Sequence, residues 1–365
     1  MKFTNWLYAL LLGATLFSSC DKDDDPEGPT GPVTIKDSIL TNALRLPWEI
    51  LWGPDNEIWI TERGGRISRM NPATAVITPV FTVPDVVADG EGGLLGMVVT
   101  GNASSPQVFV VYNYNQNGYK EKVVRYSFNG TTLINPAIII ENIPASAIHN
   151  GSRLLVVGDK LYISTGDASV TSNAQSASSL SGKILRLNLD GSIPGDNPVS
   201  GNPYWSLGHR NPQGLVFAND KLYSSEHGPS NDDEVNIITK GGNYGWPNVE
   251  GLCNTSGEQT FCAANNVVQP IKTWTPTTAP SGLEYYNSNQ IPQWKGSLLL
   301  TALKDSRLYQ LKLNAGNDAV ESTTEFLNNK YGRLRDLCIS PDGKVYVCTS
   351  NGNNDMIIEI RGVEE

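Results

Sequence analysis

Residues 207 to 247 gather the side chains most able to do chemistry. The stretch reads LGHRNPQGLVF, then KLYSSEHGP, then NDDEVNIITKGGNYGWP. It holds His209 and His227, two of the three histidines, with Arg210, Asn211, Gln213 and the run Asp232, Asp233, Glu234. Short apolar runs at 215–217, 221–224 and 235–237 separate these polar clusters. Strands deliver side chains and loop carbonyls to a common site in this way; solvated turns are the competing reading. Gly228-Pro229 ahead of the acidic run offers backbone carbonyls of the kind a hard cation such as calcium takes. The histidines have no HxH or HExxH spacing, which argues against zinc. No phosphate-binding loop or dinucleotide fingerprint is present.

Such groups need a frame, and the frame repeats. A turn followed by alternating apolar and aromatic residues recurs at Asp55, Pro106, Asp159, Asp220, Lys295 and Asp342, at intervals of 47 to 75 residues. Each copy is preceded by one strand-like segment and followed by another, and no long helical periodicity interrupts them. Candidate fourth strands begin at Ile77, Leu133 and Thr323. Six such units predict an all-β chain, a six-bladed β-propeller of four-stranded antiparallel blades, rather than a two-domain sandwich. The first strand of each blade then lines a central channel. Residues just ahead of those strands meet at one mouth: Glu91; His149 and Asn150; Arg210, Asn211 and Gln213; Thr277; Arg333 and Arg335, with Lys304 from a connecting loop. Three arginines and a lysine at one mouth predict an anionic ligand with several carboxylates or phosphates. His149 stands in a glycine-rich turn beside them. Neighbouring cations would keep it neutral and able to act as a base, or it merely hydrogen-bonds in the channel; the residues leave both open.

Composition sets limits. Lys and Arg total 27 against 37 Asp and Glu, a net charge of −10, which argues against nucleic-acid binding through phosphates. Lys2, the apolar run 6–16 and the small residues before Cys20 form a secretion signal too short to span a bilayer. Its end resembles a bacterial lipobox, which implies that residues 1–20 are a lipoprotein signal peptide and Cys20 is lipidated. The acidic run 21–25 resembles surface-export signals of lipoproteins. The expectation is an outer-membrane lipoprotein, periplasmic or cell-surface, touching the membrane only through its lipid. Residues 21–36 read as an acidic disordered tether and 37–365 as the propeller. Four further cysteines suit an oxidising compartment. Cys253 and Cys262 flank a polar loop and are expected to pair. Cys338 and Cys348 straddle Pro341-Asp342-Gly343, and a three-residue bulged loop there would pair them as well.

At these residues the chain resembles the soluble glucose/sorbosone dehydrogenases that use pyrroloquinoline quinone (PQQ). The resemblance runs from about residue 44 to 360. It rests on GEGGLLG at 90–96, HNGSRL at 149–154, GKILRLNLDGSIPGDNP at 182–198, LGHRNPQGL at 207–215, EHGPSNDDEVNIITKGGNYGWP at 226–247 and GRLRD at 332–336. It implies PQQ- and calcium-dependent oxidation of aldoses at C1 to lactones. His149 would be the general base, and Arg210 would stabilise charge on the quinone. Asn211, Lys304, Arg333, Arg335 and Thr277 would bind the cofactor. Glu91, His149 and Trp274 would meet the sugar. Gly228 and Pro229 would hold the cofactor's calcium, and Glu234 and Tyr244 a second, structural calcium. A quinone or cytochrome would accept the electrons.

The chain also departs from the family pattern. Ile148 stands where an acidic neighbour of the base is expected, Glu91 where a glutamine is, and Ser152 where a glycine is. The segment 251–280 is short, so the pocket is expected to be open enough for oligosaccharides. Two other classes compete: a non-catalytic propeller binding a glycan or protein, and a calcium-dependent lactonase.

Overall fold

The computed structural model describes residues 31–364 together with Met1, so the signal segment, Cys20 and residues 21–25 lie outside the described residues. Its strands form six four-stranded antiparallel sheets. Blade 1 is Pro47–Trp52, Ile58–Glu62, Arg66–Met70 and Ile77–Thr82, counted from the channel outward. Blade 2 is Leu94–Thr100, Gln107–Asn115, Tyr119–Phe128 and Leu133–Pro144; blade 3 is Gly151–Val157, Lys160–Thr165, Lys183–Asn188 and Tyr204–Leu207. Blade 4 is Pro212–Ala218, Lys221–Glu226, Asp233–Ile238 and Lys272–Trp274; blade 5 is Pro280–Tyr286, Ser297–Ala302, Arg307–Leu313 and Val320–Phe326. Blade 6 is Leu334–Ile339, Val345–Thr349 and Asp355–Val363, and its outermost strand is Thr34–Leu44 from the far end of the chain.

That closing strand begins at Thr34, inside the segment expected to be a tether. It was not legible because its partner lies more than 300 residues away, so no neighbouring turn announces it. The propeller therefore takes in residues 34–36.

Each blade has neighbours on both faces, so its middle strands are apolar on both. Ile58–Glu62 and Val345–Thr349 are buried at every residue. The large side chains collect in six wedges, one per seam between blades. Trp59, Leu94 and Tyr112 fill the first, and Tyr286, Trp294 and Leu337 fill the one between blades 5 and 6. Burying one such side chain stabilises by about 1.5–3 kcal/mol, so the seams hold the ring together. Cys253 and Cys262 are bonded, beside and within the helix Ser256–Asn265.

The second expected disulfide is absent. Cys338 and Cys348 are free and buried. Ile339 pairs with Val345 across a five-residue connection, so Cys338 lies opposite Tyr346 and Cys348 opposite Asp336. The bulged three-residue loop that would have aligned the cysteines does not form. Both thiols instead fill the apolar wedge between blades 6 and 1, where free cysteine behaves as a small hydrophobe.

Deeper in the channel a buried charge cluster joins five blades. The Arg153 guanidinium contacts Glu49 and lies 3.0 Å from Asp336, while its Nε donates to the Gln213 carbonyl at 2.8 Å. Asp336 accepts from the Ile50 amide at 2.8 Å and Glu49 from the Met97 amide at 3.2 Å. The guanidinium lies over the Trp48 ring, 4.4 Å from its centroid.

Arg153→Met should lower unfolding free energy by about 3–5 kcal/mol, since it leaves two buried carboxylates unpaired; denaturant titration reads this. For protein beginning at residue 31, thiol titration of the denatured, unreduced chain should find two thiols, and finding none would restore the second disulfide.

A candidate active site at the channel mouth

The loops ahead of the inner strands do converge. A cavity of about 380 Å³ at the mouth is lined by Arg63, Glu91, Gln213, His227, Arg333 and Arg335, among others. Glu91 reaches blade 3 by accepting from the His149 amide at 3.2 Å. Lys304 and Thr277 meet at the rim, Nζ to Oγ1 at 2.8 Å. Asn150 braces the loop before blade 3, exchanging hydrogen bonds with Ser146 at 2.9 and 3.1 Å.

His149 is held in a left-handed backbone conformation, φ 61°, which few non-glycine residues adopt. Gly166 makes this possible: a Cβ there would lie 2.0 Å from the His149 carbonyl oxygen. The next residue, Asp167, lies 2.9 Å from His149 Nδ1 through Oδ1. Asp167 also accepts from the Ser169 amide at 2.8 Å and from the Trp246 indole at 2.9 Å. Burial pulls Asp167 upward, but His149, Trp246 and the Ser169 amide hold it below the usual carboxylate range. An ionised carboxylate only accepts hydrogen bonds, so Nδ1 carries a proton, and in the neutral ring the lone pair is then on Nε2. Lys183 steadies this loop by donating to the carbonyls of Asn173, Ala174 and Ser181 at 2.7, 3.0 and 2.9 Å.

These contacts correct two expectations. The group against the His149 ring is a carboxylate, and the exposed Ile148 leaves no gap because Asp167 takes the orienting position from another loop. The histidine flanked by cations is His227. Burial, then Arg335 and Arg210, pull it down to about 3, so it is neutral. Ser152 has φ 73°, which accounts for glycine as the expected residue. Its hydroxyl is spent on Glu121 and the Asn150 carbonyl.

Arg210 and Asn211 are set by Glu226, which accepts both their amides while its other oxygen lies 2.9 Å from His209 Nδ1. His209 is fully buried and bridges to Ser206 at 2.8 Å, so it is a structural residue. Arg210 donates to the His227 carbonyl at 3.2 Å and lies over the Trp246 ring at 5.3 Å. Arg335 contacts the neutral Gln213 and Ser281, at 2.6 and 3.1 Å, and lies over the Trp48 ring, 5.6 Å from its centroid. Burial, with Arg153 and Arg333 nearby, pulls it down to about 10. None of Arg210, Lys304, Arg333 or Arg335 makes a carboxylate ion pair among the described residues. Arg210 Nε, Asn211 Nδ2, His227 Nε2 and Arg335 Nε are buried without a hydrogen-bond partner. Buried polar groups are rarely left this way, and four at one mouth mark a place for a polar anionic ligand.

A narrower pocket beside it is lined by His227, Gly228, Pro229, Glu234, Tyr244 and Trp246, among others. Asp233 fixes the Gly228 and Thr278 amides at 2.8 and 2.5 Å, shaping the turn that bears the Gly228 and Pro229 carbonyls. Glu226 and Glu234 face each other across the strand pair. Burial, then Glu226, push Glu234 up to about 8. No group of three or more acidic, His or Cys side chains able to hold a metal occurs among the described residues. The Tyr244 hydroxyl is spent on the Ile237 carbonyl and Thr239 amide, at 2.6 and 2.9 Å, so only its backbone carbonyl is left for a cation.

Trp274 does not sit over this mouth as a sugar platform. Its ring tilts against Tyr309 at 5.6 Å within the wedge between blades 4 and 5. The aromatic side chain near His149 is Trp246, whose indole donates to Asp167 and which had no expected role. Asp167 was missed too, because a Gly-Asp pair after a strand looks like any turn.

Comparison with known proteins agrees with this arrangement. A family model described as glucose/sorbosone dehydrogenase matches residues 44–358. The chain is 33% identical to quinoprotein glucose dehydrogenase B of Acinetobacter calcoaceticus, covering 87% of this chain and 86% of that protein. It is 34% identical to the aldose sugar dehydrogenase YliI of Escherichia coli, covering 89% and 93%. Among solved structures, the PQQ-bound aldose sugar dehydrogenase of Streptomyces coelicolor is 32% identical, with TM-score 0.77 and coverage of 90% and 99%.

Asp167→Asn should lower kcat for sugar oxidation by about 10²–10⁴-fold, because an amide no longer fixes the tautomer of His149. Spectral titration of the variant with cofactor should be unchanged. Loss of cofactor affinity with unaltered kcat would assign Asp167 to the cofactor instead.

Proposed function

The chain belongs to the glucose/sorbosone dehydrogenase family, and we propose that it oxidises aldoses at C1 to lactones with PQQ and calcium. The observation that carries this is the set of four cations without carboxylate partners around the channel mouth, of which Arg333 and Arg335 line the cavity and Arg210 the pocket beside it, with orphaned polar atoms on Arg210, Asn211, His227 and Arg335. PQQ is a flat tricarboxylate, and planar carboxylates suit guanidinium forks. When bound, it supplies a quinone that takes two electrons as hydride from the sugar C1.

The residues present fit that group. Arg333, Arg335, Lys304, Asn211 and Thr277 would hold its carboxylates and ring oxygens. Arg210 would stabilise the negative charge that develops near it. His149 Nε2 would take the proton of the C1 hydroxyl, with Asp167 fixing the ring and stabilising the imidazolium that results. Glu91, next to His149, would accept a hydrogen bond from a sugar hydroxyl. The Gly228 and Pro229 carbonyls fit a calcium ion as neutral oxygen donors, and Glu226 and Glu234 offer a second cation facing carboxylates, with the Tyr244 carbonyl. Cys20 would anchor the enzyme to the outer membrane, where a quinone or cytochrome would accept the electrons.

Dye-linked oxidation of a panel of aldoses tests the proposal. Turnover should require both PQQ and calcium. His149→Ala should keep PQQ binding and lose about 10²–10⁴-fold in kcat. Calcium-independent turnover would remove the metal from the proposal, and a chain that neither binds PQQ spectrally nor oxidises any aldose would overturn it.

A further inference from the structure

A second cavity of about 560 Å³ opens beside the mouth, and Leu46 and Arg63 line both. Its other walls include Arg45, Glu62, Arg66 and Ala88. In a chain of net charge −10, three arginines around one groove stand out. Acidic groups lie nearby, and Glu91 and Asp89 act on Arg63 through space, but among the described residues none of them contacts the side chain of Arg45 or Arg63. Glu62 pairs with Arg66 and accepts the Arg45 amide at 2.7 Å. Asp89 accepts the Tyr119 hydroxyl, and Glu91 accepts the His149 amide.

Arg63 is the wall between the two cavities. Its guanidinium donates only to carbonyls, Gly90 and Gly92, so it keeps its full charge while bracing the loop that bears Glu91. The Arg45 side chain is exposed and has no hydrogen-bond or ion-pair partner among the described residues. The groove thus offers two cations not matched by a contacting carboxylate, directly outside the site where a reducing end would react.

We infer that this groove is a subsite for an acidic sugar, so that the enzyme prefers oligosaccharides whose reducing end enters the mouth while a uronate ring lies against Arg45 and Arg63. This rests on the proposed sugar oxidation and names its substrate class. The chemistry at C1 is unchanged: hydride leaves to PQQ and the hydroxyl proton to His149. Only the second ring's carboxylate meets the groove.

The test compares cellobiose with its counterpart bearing a carboxylate at C6 of the non-reducing ring. On PQQ-loaded enzyme at low salt, kcat/KM for the acidic disaccharide should exceed that for cellobiose by about tenfold, the effect of one well-placed charge pair. The gap should shrink in 0.3 M salt, where the Debye length falls to about 5–6 Å. Arg45→Gln should abolish most of the preference and leave kcat for glucose unchanged. Calorimetry on the full chain without cofactor should show the acidic disaccharide binding more tightly than cellobiose, and Arg45→Gln removing the difference. Equal kcat/KM for the two sugars, or a preference that survives Arg45→Gln, overturns the subsite. Should no sugar be oxidised, the calorimetric difference still decides the groove, so the two proposals fail separately.

Discussion

The structure turns on Arg153. A propeller closes a ring of six sheets around an axis where backbones do not meet, so something must fill and tie the centre. Here it is a buried cation from blade 3 held by carboxylates of blades 1 and 6 and a carbonyl of blade 4. Those carboxylates in turn hold amides of blades 1 and 2. Buried ion pairs are poor sources of net stability, because desolvation offsets most of their attraction. What this one contributes is registration, since five of the six blades are fixed relative to one another at the depth where the inner strands start. The same blades carry Glu91 and His149 on the loops just ahead of those strands, and Gln213 and Arg335 at the second residue of theirs. An error at the axis would be passed on to the distances at the mouth.

Cations and carboxylates are segregated along the channel in consequence. Deep down, Arg153 is neutralised by acidic groups. At the mouth, Arg335 finds an amide, a hydroxyl and the Trp48 ring, and no carboxylate pairs with it among the described residues. A fold seeking stability alone would have paired it. Leaving Arg335 and Arg210 with buried, unpartnered nitrogens costs stability, on the order of 1–3 kcal/mol for each unmet group. That is the expected behaviour of a site shaped for a ligand.

The inner three strands of every blade were legible because each pairs with its sequence neighbour in the same repeating order. The outer strands Tyr204–Leu207 and Lys272–Trp274 were missed, being four and three residues long. Thr34–Leu44 was missed because its partner is at the other end of the chain. At the site, the basic residues could be placed from repeat position alone. Asp167 could not, since it follows a middle strand rather than preceding an inner one. Trp246 could not either, since its indole reaches Asp167 across 79 residues of sequence. The cysteine pair failed on register, where one residue in a turn decides which side chains face each other.

Ring closure by the first and last strands also constrains the order in which the protein can be made. Until residues 355–363 have been synthesised, the strand from Thr34 has no sheet to join, and the five complete blades remain an open arc with two exposed seams. Before that last strand exists, the wedge between blades 6 and 1 cannot be completed. Contacts this distant in sequence slow folding, and exposed strand edges invite wrong pairing.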